Sequence, residues 1–172
     1  MLFRSVLPMS DDPVRTMVST DRGELAFQEY FVRWRCEPVL KSLRFDGAPV
    51  ARIPETVAEA LANASAIVIA PSNPFLSVAP ILAVSGIESA LRTRKGPVIA
   101  VSPIIGGKAV KGPAAKILAE LGHEVSALAV ARHYQGLIDG MVIDEADVAL
   151  APAIEALGMR VLVTEKIGRA HV

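Results

Sequence analysis

The chain contains four short apolar runs that are separated by amphipathic stretches. The runs cover residues 66–70, 97–101, 140–143 and 160–163, and they are rich in Val and Ile without strict alternation of polar and apolar positions. Strands that are buried on both faces of a parallel sheet have this composition. The pattern therefore predicts four such strands.

Three of the intervening stretches have the periodicity of helices. One begins at Pro54, a second begins at Pro113 and ends at Gly122, and a third covers residues 126–138. Proline is common in the first turn of a helix and glycine just after the last. Strands that alternate with helices predict right-handed crossovers and an α/β fold with a doubly wound, mostly parallel, Rossmann-like sheet. The apolar faces of the first two helices are Val57, Ala58, Leu61 and Ala64, and Ala114, Ile117, Leu118 and Leu121.

The first fifty residues have a different pattern. Short strands are predicted at residues 16–20 and 43–45, a turn at residues 21–23 and a helix over residues 27–35. This region is interpreted as a small α+β excursion from the sheet. Residues 1–165 are therefore expected to form a single α/β domain.

Length and charge narrow the function classes. The chain has 172 residues, of which 52% are hydrophobic and 21% charged, enough apolar surface for one globular core. Lys plus Arg and Asp plus Glu each number 18, so the net charge is zero. A neutral balance gives no general attraction to nucleic acid or to anionic membranes, and neither is an expected partner.

Cysteine content and hydropathy indicate the compartment. Cys36 is the single cysteine, which excludes an intrachain disulfide and a thiolate zinc cluster. No apolar run approaches the roughly 20 residues of a membrane-spanning helix. The apolar stretch at the N-terminus is too short for a signal peptide. The protein is therefore predicted to be soluble and cytoplasmic.

The loop after the first apolar run is one candidate ligand site. It carries the short polar side chains Ser72, Asn73 and Ser77 together with the stiffening Pro74. Ligands gather beyond the carboxyl ends of parallel strands, and helix starts attract anions. The alternative is a turn with a helix cap, which the local composition by itself favours.

The loop after the second apolar run is the stronger candidate. Adjacent glycines allow a ligand to approach the backbone closely, and lysines neutralise phosphate. The spacing is not that of a Walker A loop, and the alternative is a flexible surface loop with two solvated lysines. The residues concerned are Ser102, Gly106, Gly107, Lys108, Lys111 and Gly112.

Three weaker candidates have structural alternatives that are favoured. An acidic cluster around the third apolar run has the residue types of a metal site, but such residues usually cap or are solvated. A histidine beside an arginine and a tyrosine is most often structural, and a tryptophan between two arginines is expected to be buried in the core. These residues are Asp139, Asp144, Glu145 and Asp147; Arg132, His133 and Tyr134; and Arg33, Trp34 and Arg35.

Both loops, together with three other segments, resemble the 2-phospho-L-lactate transferase family. The resemblance extends from Phe3 to Thr164, and its motifs are several, ordered and specific. They are residues 71–74 with Ser77, 80–83 and 86–87; residues 101–107 with 111–114; and residues 7–12, 27–33 and 155–158.

This resemblance implies a transferase of coenzyme F420 biosynthesis. The family moves a phospholactyl group from a guanosine diphosphate-linked donor to a hydroxyl of the deazaflavin Fo and releases GMP. In some members the donor carries phosphoenolpyruvate instead. The resemblance places the nucleotide and its phosphates at the loops of Ser72–Asn73 and Gly106–Gly107, and it implies Mg²⁺ as cofactor and a homodimer. The catalytic residues are not assigned.

The chain departs from the family in length. Family members are longer and begin with a strand and a glycine-rich turn, and the magnesium ligands and main Fo contacts belong to that region. The chain is therefore expected to be a C-terminal fragment that holds no metal ligands and is inactive alone. Residues 166–172 match the translation of a common sequencing adapter, which predicts a non-native tail there.

A related family of nucleotide-sugar-binding regulators, implicated in gluconeogenesis, is the alternative. Its loop after the same strand typically reads glycine-proline-glycine-serine. This chain has Ala70-Pro71-Ser72-Asn73-Pro74 at that position, which favours the transferase. Preference for guanosine or uridine diphosphate species would separate the two.

Overall fold

The N-terminal part of the chain forms an antiparallel sheet of three strands. The structure is a computed structural model and describes residues 5–109 and 112–165. The strands of this sheet are β1 (Arg15–Thr20), β2 (Gly23–Ala26) and β3 (Leu40–Asp46), in the order β2-β1-β3. The turn between β1 and β2 lies at Asp21 and Arg22, as predicted, and β3 is longer than the predicted strand. The small α+β excursion is confirmed.

The predicted helix over residues 27–35 is shorter and wider than expected. Glu29–Arg33 is a π-helical turn, and Arg35 and Cys36 then take left-handed conformations with φ of 48° and 59°. Trp34 is half-buried rather than in the core. The guanidinium carbons of Arg22 and Arg33 lie 5.1 and 5.7 Å from its ring centroid.

The remaining elements build a parallel sheet. Its strands follow the order β4-β5-β8-β9 and all neighbouring pairs are parallel, which confirms the α/β class with a mostly parallel sheet. The predicted helices are present, the third ending early. In chain order the elements are α1 (Glu55–Asn63), β4 (Ile67–Ile69), α2 (Ala79–Leu82), α3 (Ile87–Thr93), β5 (Val98–Val101), β6 (Ile104–Ile105), β7 (Lys108–Ala109), α4 (Ala114–Glu120), α5 (Ala127–His133), β8 (Gly140–Asp144), α6 (Ala151–Glu155) and β9 (Arg160–Thr164).

One face of this sheet carries the main core. Val98 and Ala100 of β5 and Met141 and Ile143 of β8 are buried in one cluster with apolar residues of α3, α5 and α6. Their neighbours on the same face in β4 and β9 pack against the same cluster. The helices that connect the strands therefore cover this face.

The other face of the sheet is uncovered, which corrects the prediction of strands buried on both faces. Val68 and Leu162 are 63% and 61% exposed. The apolar residues on this face belong neither to the main core nor to the smaller core beside the N-terminal sheet; they are Val68, Ile99, Val101, Val142 and Leu162. The strand order runs in one direction, so successive right-handed crossovers place their helices on one side. Helix α1 also has no fully buried residue. The predicted apolar residues Val57, Ala58 and Leu61 are only partly buried. No helix within the described ranges is long and apolar enough to cross a membrane.

Candidate functional site

Loops follow β4, β5 and β8 at the same edge of the parallel sheet. Strands that run in one direction bring their carboxyl ends together, and ligands of open α/β sheets bind there. The loop after β4 leads into a π-helical turn, Pro74–Val78, and the loop after β8 leads into a 3-10 helix, Glu145–Leu150. The loop after β5 becomes the β6–β7 hairpin.

Asn73 caps the turn that follows β4. Its Oδ1 accepts hydrogen bonds from the N–H groups of Phe75 at 3.0 Å and Leu76 at 3.1 Å, and Pro74 occupies the first position of the turn. The turn-and-cap alternative is thus correct for this oxygen. The amide Nδ2 of the same residue is buried and has no hydrogen-bond partner within the described residues. This nitrogen is a free donor at the loop.

Phe75 ties this turn to the helices that follow β5. Its ring stacks on His123 at 5.0 Å between centroids and meets His133 at 4.6 Å. Burial lowers the pKa of His133, and the nearby His123 lowers it further. This cluster was not predicted from the sequence, because its rings come from segments that are distant along the chain and share no motif.

Ser102 closes the turn after β5 and is fully buried. Its Oγ accepts from the N–H of Ile104 at 3.1 Å and donates to the carbonyl of the same residue at 2.9 Å. Both hydrogen-bonding roles of the hydroxyl are therefore used within the loop. Ser102 shapes the loop and does not present its hydroxyl to a ligand.

Gly106 and Gly107 form the tip of the β6–β7 hairpin. Their φ values are 54° and 74°, the left-handed conformations that a two-residue hairpin turn requires. Lys108 is exposed beside them, and Gly112 is exposed with a φ of 68°. Lys111 lies outside the described residues. The adjacent glycines therefore have a structural reason, and the tip remains open to solvent.

Asp147 joins this hairpin to the loop after β8. Both carboxylate oxygens lie 3.1 Å from the Gly106 N, although the side chain is almost fully buried. Burial raises the pKa of Asp147; the Gly106 N–H opposes this shift and the charge of Asp144 adds to it. The Gly106 N–H is therefore occupied by a carboxylate, and Gly107 and Lys108 are the other exposed residues at the tip.

The Ser72 and Ser77 side chains border a different feature. They lie at the rim of an apolar groove of about 520 Å³ beside β4, which α1, α3 and residues 7–9 also line. Among the described residues no hydrogen bond joins the β4 loop to the β6–β7 hairpin. The structure thus connects Gly106 with Asp147, and Asn73 with its own turn, at one edge of the sheet.

A family model described as 2-phospho-L-lactate transferase CofD matches residues 2–157. The chain belongs to this family. It is 42% identical over 154 residues to a 2-phospho-L-lactate transferase of Methanosarcina mazei, and 43% identical over 160 residues to a phosphoenolpyruvate transferase of Streptomyces griseus. Each match covers 90% of this chain and 50% of the relative. The chain therefore spans about half the length of the curated relatives it matches.

Solved structures support the fold. Two crystal structures of a Bacillus halodurans protein of the UPF0052 family superpose with TM-scores of 0.60 and 0.59 at 16% identity. The match covers 92% of this chain and 54% of that protein. At this identity the likeness concerns the fold alone.

The transferase family implies a magnesium ion, and the described carboxylates do not fit one. Asp144 caps the 3-10 helix through the Ala146 N–H at 3.0 Å, and Asp147 is engaged with Gly106. Asp139 lies at the opposite end of β8, where it accepts from the Val98 N–H at 2.7 Å and pairs with Arg94. The predicted acidic cluster is thus divided, and residues 5–109 and 112–165 contain no group of three potential ligands.

Proposed function

We propose that this chain is the donor-binding part of an enzyme of coenzyme F420 biosynthesis. The enzyme transfers a 2-phospholactyl or phosphoenolpyruvyl group from a guanosine diphosphate-linked donor to the deazaflavin Fo and releases GMP. The observation that carries the proposal is the family match over residues 2–157, with relatives at 42% and 43% identity. Because one relative is named a 2-phospho-L-lactate transferase and the other a phosphoenolpyruvate transferase, a phospholactyl and a phosphoenolpyruvyl group are both compatible with the match.

The chemistry is attack of a hydroxyl on phosphorus. The Fo hydroxyl forms a new P–O bond to the phosphorus that carries the lactyl or enolpyruvyl group, the P–O bond to GMP breaks, and the hydroxyl proton passes to solvent. Such a reaction depends on positioning and on neutralisation of phosphate charge. In this chain the Lys108 ammonium would neutralise phosphate charge, and the Gly107 N–H and the buried, unpartnered Nδ2 of Asn73 would donate hydrogen bonds.

The remaining properties of the enzyme belong to the same proposal. A magnesium ion would be held by residues outside the described part of this chain, since the described carboxylates do not gather. We further propose a cytoplasmic homodimer, and we expect the 172-residue chain to be inactive by itself. The neutral charge balance supports small-molecule partners over nucleic acid or a membrane surface.

A covalent chimera tests the activity. The chain is fused to the half of the Methanosarcina mazei relative that lies outside their match, and GMP release is measured with Fo and a guanosine diphosphate-linked donor. We expect GMP release from the chimera and none from the chain alone. A folded chimera that binds a uridine diphosphate species in preference to GDP, and releases no GMP, would contradict the proposal and favour a nucleotide-sugar regulator.

Two substitutions at Asn73 test the donor site within that chimera. Aspartate keeps the capping oxygen but replaces the Nδ2 donor with a second anionic oxygen. Asn73→Asp should therefore keep the cap, lose some stability because the new oxygen is buried without a partner, and weaken GDP binding by about tenfold or more. Asn73→Ala should lower stability by about 1 kcal/mol as a lost cap does. Equal GDP affinity in the parent and Asn73→Asp would remove Asn73 from the proposed site.

A further inference from the structure

The uncovered face of the parallel sheet is entirely apolar over its central rows. It consists of the side chains that alternate with the core residues along each strand: Val68, Ile99, Val101, Val142 and Leu162. The register aligns Val101, Val142 and Leu162 across three strands and places Val68 beside Ile99. Arg160 at the start of β9 and Asp144 at the end of β8 are charged residues at the borders of this face.

The exposure of this face conflicts with the composition of its strands. A two-layer protein normally has polar residues on the outer face of its sheet, which gives alternation along each strand. Here the central outer positions are as hydrophobic as the inner ones, yet Val68 and Leu162 are more than half exposed. Parallel sheets are found almost only with helices on both faces. The composition of this face is therefore that of a surface covered by a second helical layer.

We propose that this face, Val68, Ile99, Val101, Val142 and Leu162, docks a layer of amphipathic helices. These helices are supplied by the half of a full-length family polypeptide that this chain does not span. The absence of charge at the centre of the face requires an apolar occupant rather than an anionic or basic one. The inference concerns assembly and does not depend on the reaction assigned above.

Two observations support this occupant over a second copy of the same chain. The relatives and the solved structures are about twice as long as the matched region, so each contains a comparable length of polypeptide in addition to it. The edge strand β4 is also uncovered: Ile67, Val68 and Ile69 carry no charge or proline to block pairing, and residues 7–9 line the groove beside it. A strand–helix unit fits an open edge next to an open face.

Co-expression of two separate polypeptides tests the docking surface. The full 172-residue chain is produced with the complementary half of the Methanosarcina mazei relative, and a 1:1 complex is expected by affinity purification and light scattering. The double variant Val68→Glu with Leu162→Glu should weaken the complex by about a hundredfold, because it places unpaired carboxylates in the interface.

Val32→Glu is the matched control. Val32 is 64% exposed in the π-helical turn Glu29–Arg33, so it matches Val68 in residue type and exposure and lies off the proposed surface. This variant should bind as the parent does. A complex that resists the double variant, no complex at all, or a homodimer formed through this face in the presence of the other half would each overturn the proposal.

A measurement on the unsubstituted chain removes dependence on the variants. Hydroxyl-radical footprinting reports side-chain exposure, and complex formation should lower the labelling of Val68 and Leu162 severalfold while that of Val32 stays constant. Unchanged labelling of Val68 and Leu162 in the complex would contradict the docking surface even if the two polypeptides associate. Association without GMP release would leave this inference intact and count against the proposed reaction alone.

Discussion

Asp147 holds a carboxylate where water is largely excluded, with a single backbone N–H as its hydrogen-bond donor among the described residues. Asn73 and Ser102 also accept hydrogen bonds from backbone N–H groups, in their case within their own loops. The polar residues at this edge of the sheet thus hold the loops in shape. Of the predicted site groups, Ser77, Gly107 and Lys108 are exposed, and the buried Asn73 Nδ2 has no hydrogen-bond partner within the described residues.

The charge of Asp147 should reduce stability as the pH rises. Burial raises its pKa, so the folded chain binds this proton more tightly than the unfolded chain, and stability falls as the pH rises through the folded pKa. Asp147→Asn removes that effect. Between pH 4 and 7 the free energy of unfolding of this variant should rise relative to that of the parent, as measured by urea denaturation. A decrease over that range would contradict the assignment.

The His133 imidazole should titrate below its usual pKa of 6.5. Its neutral form is favoured in the folded chain, so its contribution to stability is present above that value and is lost as the pH falls through the folded pKa. NMR titration of the ring protons measures this directly. In His123→Gln the pKa of His133 should move part of the way back up, since burial remains as the larger cause.

At the level of elements, the π-helical turn Glu29–Arg33 ends in a strained connection. Two consecutive non-glycine residues, Arg35 and Cys36, take left-handed conformations that cost about 1 kcal/mol or more each. The sequence predicted a helix here because the apolar spacing is helical. The left-handed exit has no signal in residue type, since glycine or asparagine normally marks it.

Arg35→Gly should therefore stabilise the chain. The side chain is exposed, so the substitution removes backbone strain without loss of a core contact, and the expected gain is about 0.5–1 kcal/mol in chemical denaturation. Arg33→Gly, two residues earlier in a helical conformation, is the control. It should destabilise the chain by about 1 kcal/mol. The same sign for both variants would contradict the strain argument.

The β6–β7 hairpin shows where element prediction failed. Gly106 and Gly107 were assigned to a phosphate-binding loop, and paired glycines between apolar residues also fit a hairpin turn. A hairpin turn and a phosphate-binding loop both need glycines with the same backbone freedom, so the glycine pair by itself does not reveal the hairpin. The contact that positions the hairpin comes from Asp147, which the sequence placed in an acidic cluster.

Across the whole molecule, burial is concentrated on one side of the sheet. Val98 and Ala100 of β5 are fully buried, whereas none of the three residues of β4 is buried. The backbone hydrogen bonds of a central strand, which has neighbours on both sides, break only when large parts of the fold unfold. Those of an edge strand break by local unfolding. The stability of the chain is therefore expected to be uneven.

Hydrogen exchange measures this difference. Backbone amides of β5 and β8 should exchange slowest in the isolated chain, and those of β4 at least about a hundredfold faster. Amides of β9, the other edge strand, should also exchange faster than those of β8. Equal protection of β4 and β5 would show that β4 is covered in solution, which would contradict the open edge.

The sequence by itself determined the order and type of most elements and the family. Apolar runs, helical periodicity and the ordered motifs of residues 71–83 and 101–114 are local properties, readable without knowing which segments meet. Tertiary structure decided which faces are buried and which polar groups are free. The direction of the strand order left Val68 and Leu162 uncovered, and opposite ends of β8 separated Asp139 from Asp147. Burial and hydrogen bonding arise between distant segments, so only the folded chain settles them.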